Sequence, residues 1–367
     1  NKEELNRNFS EILSIHIIFS IIVIFVYLVL LFFFVEDNLV IFLIQSIYVF
    51  AAVFDINWFF FGIEKFKLTV GRNTLVKILS VFLVLVFVKT QTDLWIYALI
   101  LALSVFVGQS IVWFALKQYV SWRRPSWANM KQHIRPLFVL FLPILALSLY
   151  KYMDKIMLGS ISSNVQVGFY ENAEKIINVP MSLIMAFGVV LMPRIANMVT
   201  SKDKGEVFKL IDMSMEAVML LAIAISFGLA GISFVLAPIF FGYEFEECGI
   251  LIMGLAVTVP FMAFANVIRT QYLIPYKEDK IFVVSLFLGA AVNLIVNIIL
   301  IPYMAARGAV IGTIFAEIIV CIYQSYFVRK KIFIKKQVVS AASYLCDPTN
   351  GYDHIFAFYD QQCIVKI

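Results

Sequence analysis

The 367-residue chain is 62% hydrophobic and only 14% charged, with 29 Lys and Arg against 24 Asp and Glu for a net charge of +5. A water-soluble domain of this size built from that composition would lack a polar surface, so a soluble globular protein is excluded. The cation excess does not point to nucleic acid, because Lys and Arg gather at the ends of apolar segments, where anionic lipid surfaces and the positive-inside rule account for them.

A hydrocarbon core about 30 Å thick takes roughly 20 apolar residues to cross as a helix. Ten segments come close to that length, which predicts an all-α polytopic membrane protein. The first, Ile12–Val35, follows a polar amphipathic stretch from Asn1 to Glu11 that carries Lys2 and Arg7. The acidic Glu36 and Asp37 lead into the second, Leu39–Phe61, which ends in a basic loop holding Lys65, Lys67, Arg72 and Lys77. Asn73–Thr90 and Leu94–Leu116 follow, joined by a short cation-poor turn. The longest connection, Lys117 to Pro136, carries Arg123, Arg124, Lys131, Arg135, Trp122 and Trp127, a composition suited to the headgroup region. It is read as a cytoplasmic linker, residues 118–136, between a lobe of four helices (1–117) and a lobe of six (137–336).

The second lobe comprises Leu137–Leu158, Ile176–Ile195, Met213–Leu236, Ile250–Ile274, Ile281–Ile301 and Ala309–Val328. Its basic ends hold Arg194, Lys202, Lys204 and Lys209, then Arg269, Lys277 and Lys280, then Arg329 to Lys336; the opposite loops, Ser160 to Gln166, Tyr243 to Glu247 and Pro302 to Arg307, are poor in cations. The basic set is therefore expected in the cytoplasm, as are both ends of the membrane region. From Gln337 to Ile367 polar residues interrupt any apolar face, and this stretch cannot cross a bilayer.

Cys248, Cys321, Cys346 and Cys363 have no paired spacing and His16, His133 and His354 are scattered, so no metal site is expected. Phosphate loops, nucleophile elbows and zinc-protease motifs are absent from the sequence, and no cofactor is expected.

Three stretches carry a resemblance. The first is Asp55-Ile-Asn-Trp58-Phe-Phe-Phe-Gly62-Ile-Glu64-Lys65 with Arg72-Asn73 and Lys77. The second is Leu142-Pro143, Tyr150, Asp154-Lys155, Gly159, Val167-Gly168-Phe-Tyr170 and Ala173-Glu174-Lys175-Ile176. The third is Asn293, Asn297, Pro302, Gly308-Ala309, Gly312-Thr313 and Glu317. In this order they resemble bacterial polysaccharide-unit flippases, the Wzx-type O-antigen and capsule repeat-unit flippases of the multidrug/oligosaccharidyl-lipid/polysaccharide exporter superfamily.

The resemblance implies a MATE-like fold of two lobes in the bacterial plasma membrane. With the Asp55 motif on the family's fourth helix, the ten spans become helices three to twelve, which implies a fragment lacking the first two helices and departing from the pattern at Gln337. It implies a transporter, not an enzyme, that moves isoprenoid-diphosphate-linked oligosaccharide between leaflets. The partners implied are that substrate, membrane lipids and polysaccharide-assembly proteins.

Such a headgroup needs cations and polar groups at depth, where each ionisable residue requires a partner, water or a task. Lys151 and Lys155, four apart on one helical face, with Asp154 between them, are candidates to face a diphosphate; equally, they could pair with Glu171 and Glu174 of the next helix. Arg72 and Arg269 could meet diphosphate near the cytoplasmic ends or serve as snorkelling anchors. Asn293 and Asn297 could contact sugar hydroxyls or pack between helices, and Glu317 could couple transport to an ion or hold a helix contact. Asp55, Trp58, Gly62 and Glu64 read as a structural motif at a helix end. The alternatives are a drug/cation antiporter of the same fold, an inactive fragment, and a membrane glycosyltransferase or polymerase, the last disfavoured by outer loops too short to house acid and base groups.

Overall fold

A computed structural model describes residues 2–35, 38–200 and 204–329. The polar tail from Gln337, the basic run Lys330 to Lys336, and Cys346, Cys363 and His354 lie outside the described residues. Among those described, all regular structure is helical, as twelve α-helices with short 3₁₀ and π segments. Eight helical stretches are long and apolar enough to cross a bilayer, and a bent pair makes a ninth. Ten were expected; the remaining one, Leu137–Leu158, lies inside the 35-residue helix α6 (Trp127–Ile161), which is not among these stretches.

The chain divides into two compact units between Leu140 and Phe141, within α6. The first holds α1 (Lys2–Phe34), α2 (Leu39–Val53), α3 (Asn57–Gly62), α4 (Phe66–Phe87) and α5 (Leu94–Leu116). Its core gathers Phe9 and Leu13 of α1, Ile56, Phe59, Phe60, Val112, Leu116 and Val120. Side chains such as Phe32 and Phe114, each 81% exposed, point away from it, a surface that belongs against hydrocarbon.

The expected second span is interrupted: α2 stops at Val53, and Asp55 Oδ1 accepts the Asn57 N–H at 2.9 Å to start α3. Trp58 stacks on Phe9 with ring centroids 5.6 Å apart. Helix α3 closes with Glu64 at φ 59°, Lys65 N donating to Phe60 O and Glu64 N to Phe61 O, a Schellman closure that ordinarily takes glycine.

The basic connection is better ordered than a linker reading suggests. At 33 residues, α1 is about 50 Å long and outreaches the hydrocarbon core. Its polar first turns bury Asn6, Ser10 and Glu11. Asn6 exchanges hydrogen bonds with Ser121, Ser10 Oγ accepts the Arg123 N–H, and Glu11 meets Asn129 at 3.0 Å and His133 at 2.9 Å. Residues from Trp127 onward already form the first turns of α6.

The second unit holds the rest of α6, α7 (Asn164–Thr200), α8 (Lys204–Phe241), α9 (Cys248–Ala256), α10 (Thr258–Val267), α11 (Asp279–Met304) and α12 (Ala306–Val328). The expected continuous span Ile250–Ile274 is instead α9 and α10, bent by 41°. Pro260 supplies the reason: its ring clashes with the carbonyl four residues earlier, at Ala256, where α9 ends. Beyond Val267 the chain continues as a π segment, Ile268–Leu273. Helices α11 and α12 form a tight hairpin turning at Ala305, φ 47° and ψ −126°. Gly308 lets them close, since a Cβ there would sit 2.7 Å from the Leu300 carbonyl.

Candidate functional site

A cavity of about 570 Å³ opens within the second unit, in the range of small-ligand pockets. Helical spacing builds its walls: Tyr150, Lys151 and Asp154 on α6; Tyr170, Glu174, Asn178 and Ser182 on α7; Met262, Asn266 and Arg269 from α10 into the π segment; Thr313, Glu317, Val320 and Gln324 on α12. Residues three or four apart on a helix share a face, so each helix contributes a polar stripe inside an otherwise apolar segment.

Asp154, 4% exposed, sits at the polar centre. Its Oδ1 accepts from Asn293 Nδ2 at 2.8 Å and Asn297 Nδ2 at 2.6 Å. Oδ2 lies 3.0 Å from the Tyr170 hydroxyl and 3.1 Å from Thr313 Oγ1, which are themselves 2.8 Å apart. Asn297 also donates to Asn293 Oδ1 at 3.0 Å, and its own Oδ1 is buried without a partner. Gly312 makes room for that oxygen, because a Cβ there would stand 2.2 Å from it. Every neighbour of the carboxylate is neutral, and among the described residues it makes no ion pair. No cluster of three or more His, Cys, Asp or Glu that could hold a metal ion occurs among the described residues.

Glu317, 5% exposed, accepts a hydrogen bond from the Tyr150 hydroxyl at 2.7 Å, tying α12 to α6 one turn along from the Asp154 cluster. Lys155 pairs with Glu174 at 2.7 Å and with Glu171, and Lys175 stands 3.9 Å from Glu171. Lys151 lines the cavity, its Nζ 5.5 Å from the Tyr152 ring centroid. Arg269 also lines it, stacked 4.4 Å above Phe282.

Arg72 belongs to the first unit. Its guanidinium donates to Gly108 O at 2.6 Å, Gln109 Oε1 at 3.2 Å, Asn57 Oδ1 at 3.0 Å and Asn73 Oδ1, holding α4 against α5 and α3. Asp55, Trp58, Gly62 and Glu64 lie at that same helix-end turn.

The structure thus joins Asp154, Asn293 and Asn297 in one hydrogen-bonded set and lines one cavity with Lys151, Arg269 and Glu317. Sequence reasoning assigned no site role to Tyr150, Tyr170 or Thr313, although all three stand in the stretches that carried the resemblance. It also passed over Asn266 and Gln324, for which a lone amide in an apolar segment was the available signal.

Comparison with known proteins agrees with this architecture. The profile of the family described as polysaccharide biosynthesis protein matches residues 1–199. A protein of Shigella dysenteriae named "Putative O-antigen transporter" is 24% identical over 327 residues, 88% of this chain and 81% of that relative. Among solved structures, the inward closed conformation of the lipid II flippase MurJ superposes with a TM-score of 0.70 at 16% identity, covering 95% of this chain and 79% of the other. An outward-facing MATE-family multidrug resistance transporter of the MOP superfamily gives 0.53 at 15% identity, over 89% and 79%. At these identities the structural matches establish a shared fold.

Proposed function

The chain belongs to the polysaccharide biosynthesis protein family, and we propose from that premise that it is a multi-pass plasma-membrane flippase carrying lipid-linked oligosaccharide units between leaflets. The observation that carries this reading is the cavity itself: a polar chamber with Lys151 and Arg269 in its wall, enclosed by helices whose other faces suit lipid. A diphosphate and its sugars need such a chamber while the isoprenoid stays in hydrocarbon.

Within this reading, Lys151 and Arg269 attract the diphosphate. Lys155 keeps Glu171 and Glu174 compensated, and Arg72 holds the first unit together. Glu317, a buried carboxylate held by the Tyr150 hydroxyl in the cavity wall, is the coupling candidate, and Asp154 with its neutral donors organises the polar centre. The alternation of basic and cation-poor loops supports placing the basic ends in the cytoplasm. Polysaccharide-assembly proteins are the partners this role would bring near.

The test is translocation in everted membrane vesicles. A fluorescent undecaprenyl diphosphate-oligosaccharide on the outside should become inaccessible to an impermeant glycosidase only when the chain is present. Protection equal to that in vesicles without the chain would overturn the assignment.

A further inference from the structure

A second cavity, of about 450 Å³, opens where the α6–α7 turn, the start of α9 and the α11–α12 hairpin meet. Leu251 and Ile301, both buried, make its floor. Its lip is apolar and accessible, with Ile161 and Met304 exposed and the Tyr303 ring 85% exposed. Beside that lip stand one anion and one cation, Glu247 and Arg307, each with its side chain about half exposed.

These two charges attract without closing on each other. Arg307 Nη2 lies 3.8 Å from Glu247 Oε1, beyond hydrogen-bond length. Gln166 fixes the carboxylate at that spacing. Its Oε1 accepts the Ala306 N–H at 3.2 Å, which turns its Nε2 toward Glu247 Oε2, also at 3.2 Å. Glu247 is thereby tied to the residue next to Arg307, while its Oε1 and the guanidinium keep hydrogen-bonding capacity in the cavity wall.

An apolar lip beside a held pair of opposite charges suits an amphiphile with a zwitterionic head. The loop that carries Glu247 also carries Glu244 and Glu246, both exposed, which disfavours a net anionic head and favours an ammonium. A primary ammonium brings three N–H donors to Glu247, and a phosphate diester meets the guanidinium with charge-assisted bonds. A trimethylated ammonium has no N–H to give.

We propose that this cavity binds the head of an aminoalkyl phospholipid of the phosphatidylethanolamine kind, its ammonium on Glu247 and its phosphate on Arg307, with the chains leaving over Ile161 and Met304. Under the proposed orientation the lipid belongs to the outer leaflet. The site is separate from the Asp154 cavity and does not depend on what the chain transports.

The experiment is native mass spectrometry of the purified chain with phosphatidylethanolamine and phosphatidylcholine at equal concentration. Phosphatidylethanolamine should be retained about tenfold over phosphatidylcholine. Glu247→Gln should bring the two lipids close to parity, and Arg307→Gln should weaken both alike. Should Glu247→Gln fold poorly, Gln166→Ala, which frees the carboxylate from its anchor, should shrink the preference in its place. A preference that survives in the folded variants, or equal retention by the unaltered chain, overturns the proposal. Displacement of bound phosphatidylethanolamine by a soluble hexosamine oligosaccharide would give the cavity to a saccharide and overturn it too.

Discussion

Around Asp154, neutral donors do the work that a counter-ion does elsewhere, and their removal should be felt as lost stability as well as lost function. Asp154→Ala leaves up to four buried donors without their acceptor, at about 1–3 kcal/mol for each that finds no substitute. The thermal aggregation midpoint in detergent should fall clearly below that of the unaltered chain. Unchanged thermal behaviour would mean that the four donors have ready alternatives.

Gly312 tests the same cluster from the side. An added methyl would stand 2.2 Å from Asn297 Oδ1, so Gly312→Ala should displace Asn297 and destabilise by about 1–3 kcal/mol. Pairing it with Asn297→Ser should recover part of that loss, and a double variant no better than the single would remove Asn297 as the cause. Glu64 offers the opposite sign: at φ 59° it adopts a conformation that costs an L-residue about 1–2 kcal/mol. Glu64→Gly should therefore raise the midpoint, provided the side chain has no other use. Polarity at Asp154, Asn293 and Asn297 was legible because charged or amide groups in apolar segments demand partners. Tyr170 and Thr313 were not, since a threonine hydroxyl is satisfied along its own helix as readily as across a cluster and a tyrosine in an apolar segment reads first as a packing ring.

At the scale of elements, helix ends and breaks carry the information. The α11–α12 hairpin turns through Ala305 in a backbone region that suits glycine, and Ala305→Gly should stabilise the hairpin by about 1 kcal/mol in the same thermal measurement. The first turns of α1 are bound to the 121–133 stretch through Asn6, Ser10 and Glu11. Glu11→Ala should release Asn129 and His133, so trypsin should cut after Arg123 several times faster while the spans stay protected. Equal cleavage rates would show that Asn6 and Ser10 suffice to hold the segment. Apolar length revealed most of the spans, but the continuous span expected over Ile250–Ile274 overlooked the break that Pro260 imposes between α9 and α10. The π segment left no trace in composition, because one extra residue per turn is decided by what packs around it.

For the whole molecule, the clean alternation of loop charge yields a topological expectation: a reporter fused after Lys280 should read cytoplasmic and one near Glu246 external. Reversed signals would invert the proposed orientation and with it the side from which substrate enters.

Composition and apolar length by themselves determined that this is a helical membrane protein, since hydrocarbon admits few other ways to satisfy a backbone. The sequence also marked where its buried polar residues fall. Which of them meet was decided only by tertiary structure. Lys151 and Lys155 share a helical face by spacing, yet Glu171 and Glu174 of α7 engage Lys155, while Lys151 lines the cavity. Arg72 and Arg269 look alike in sequence, but packing gives the terminal nitrogens of Arg72 four carbonyl and amide oxygens and stacks Arg269 on Phe282 in the wall of a cavity. Hydrophobic burial is nondirectional and can be read along a chain, whereas hydrogen bonds and ion pairs depend on the relative rotation of helices far apart in it.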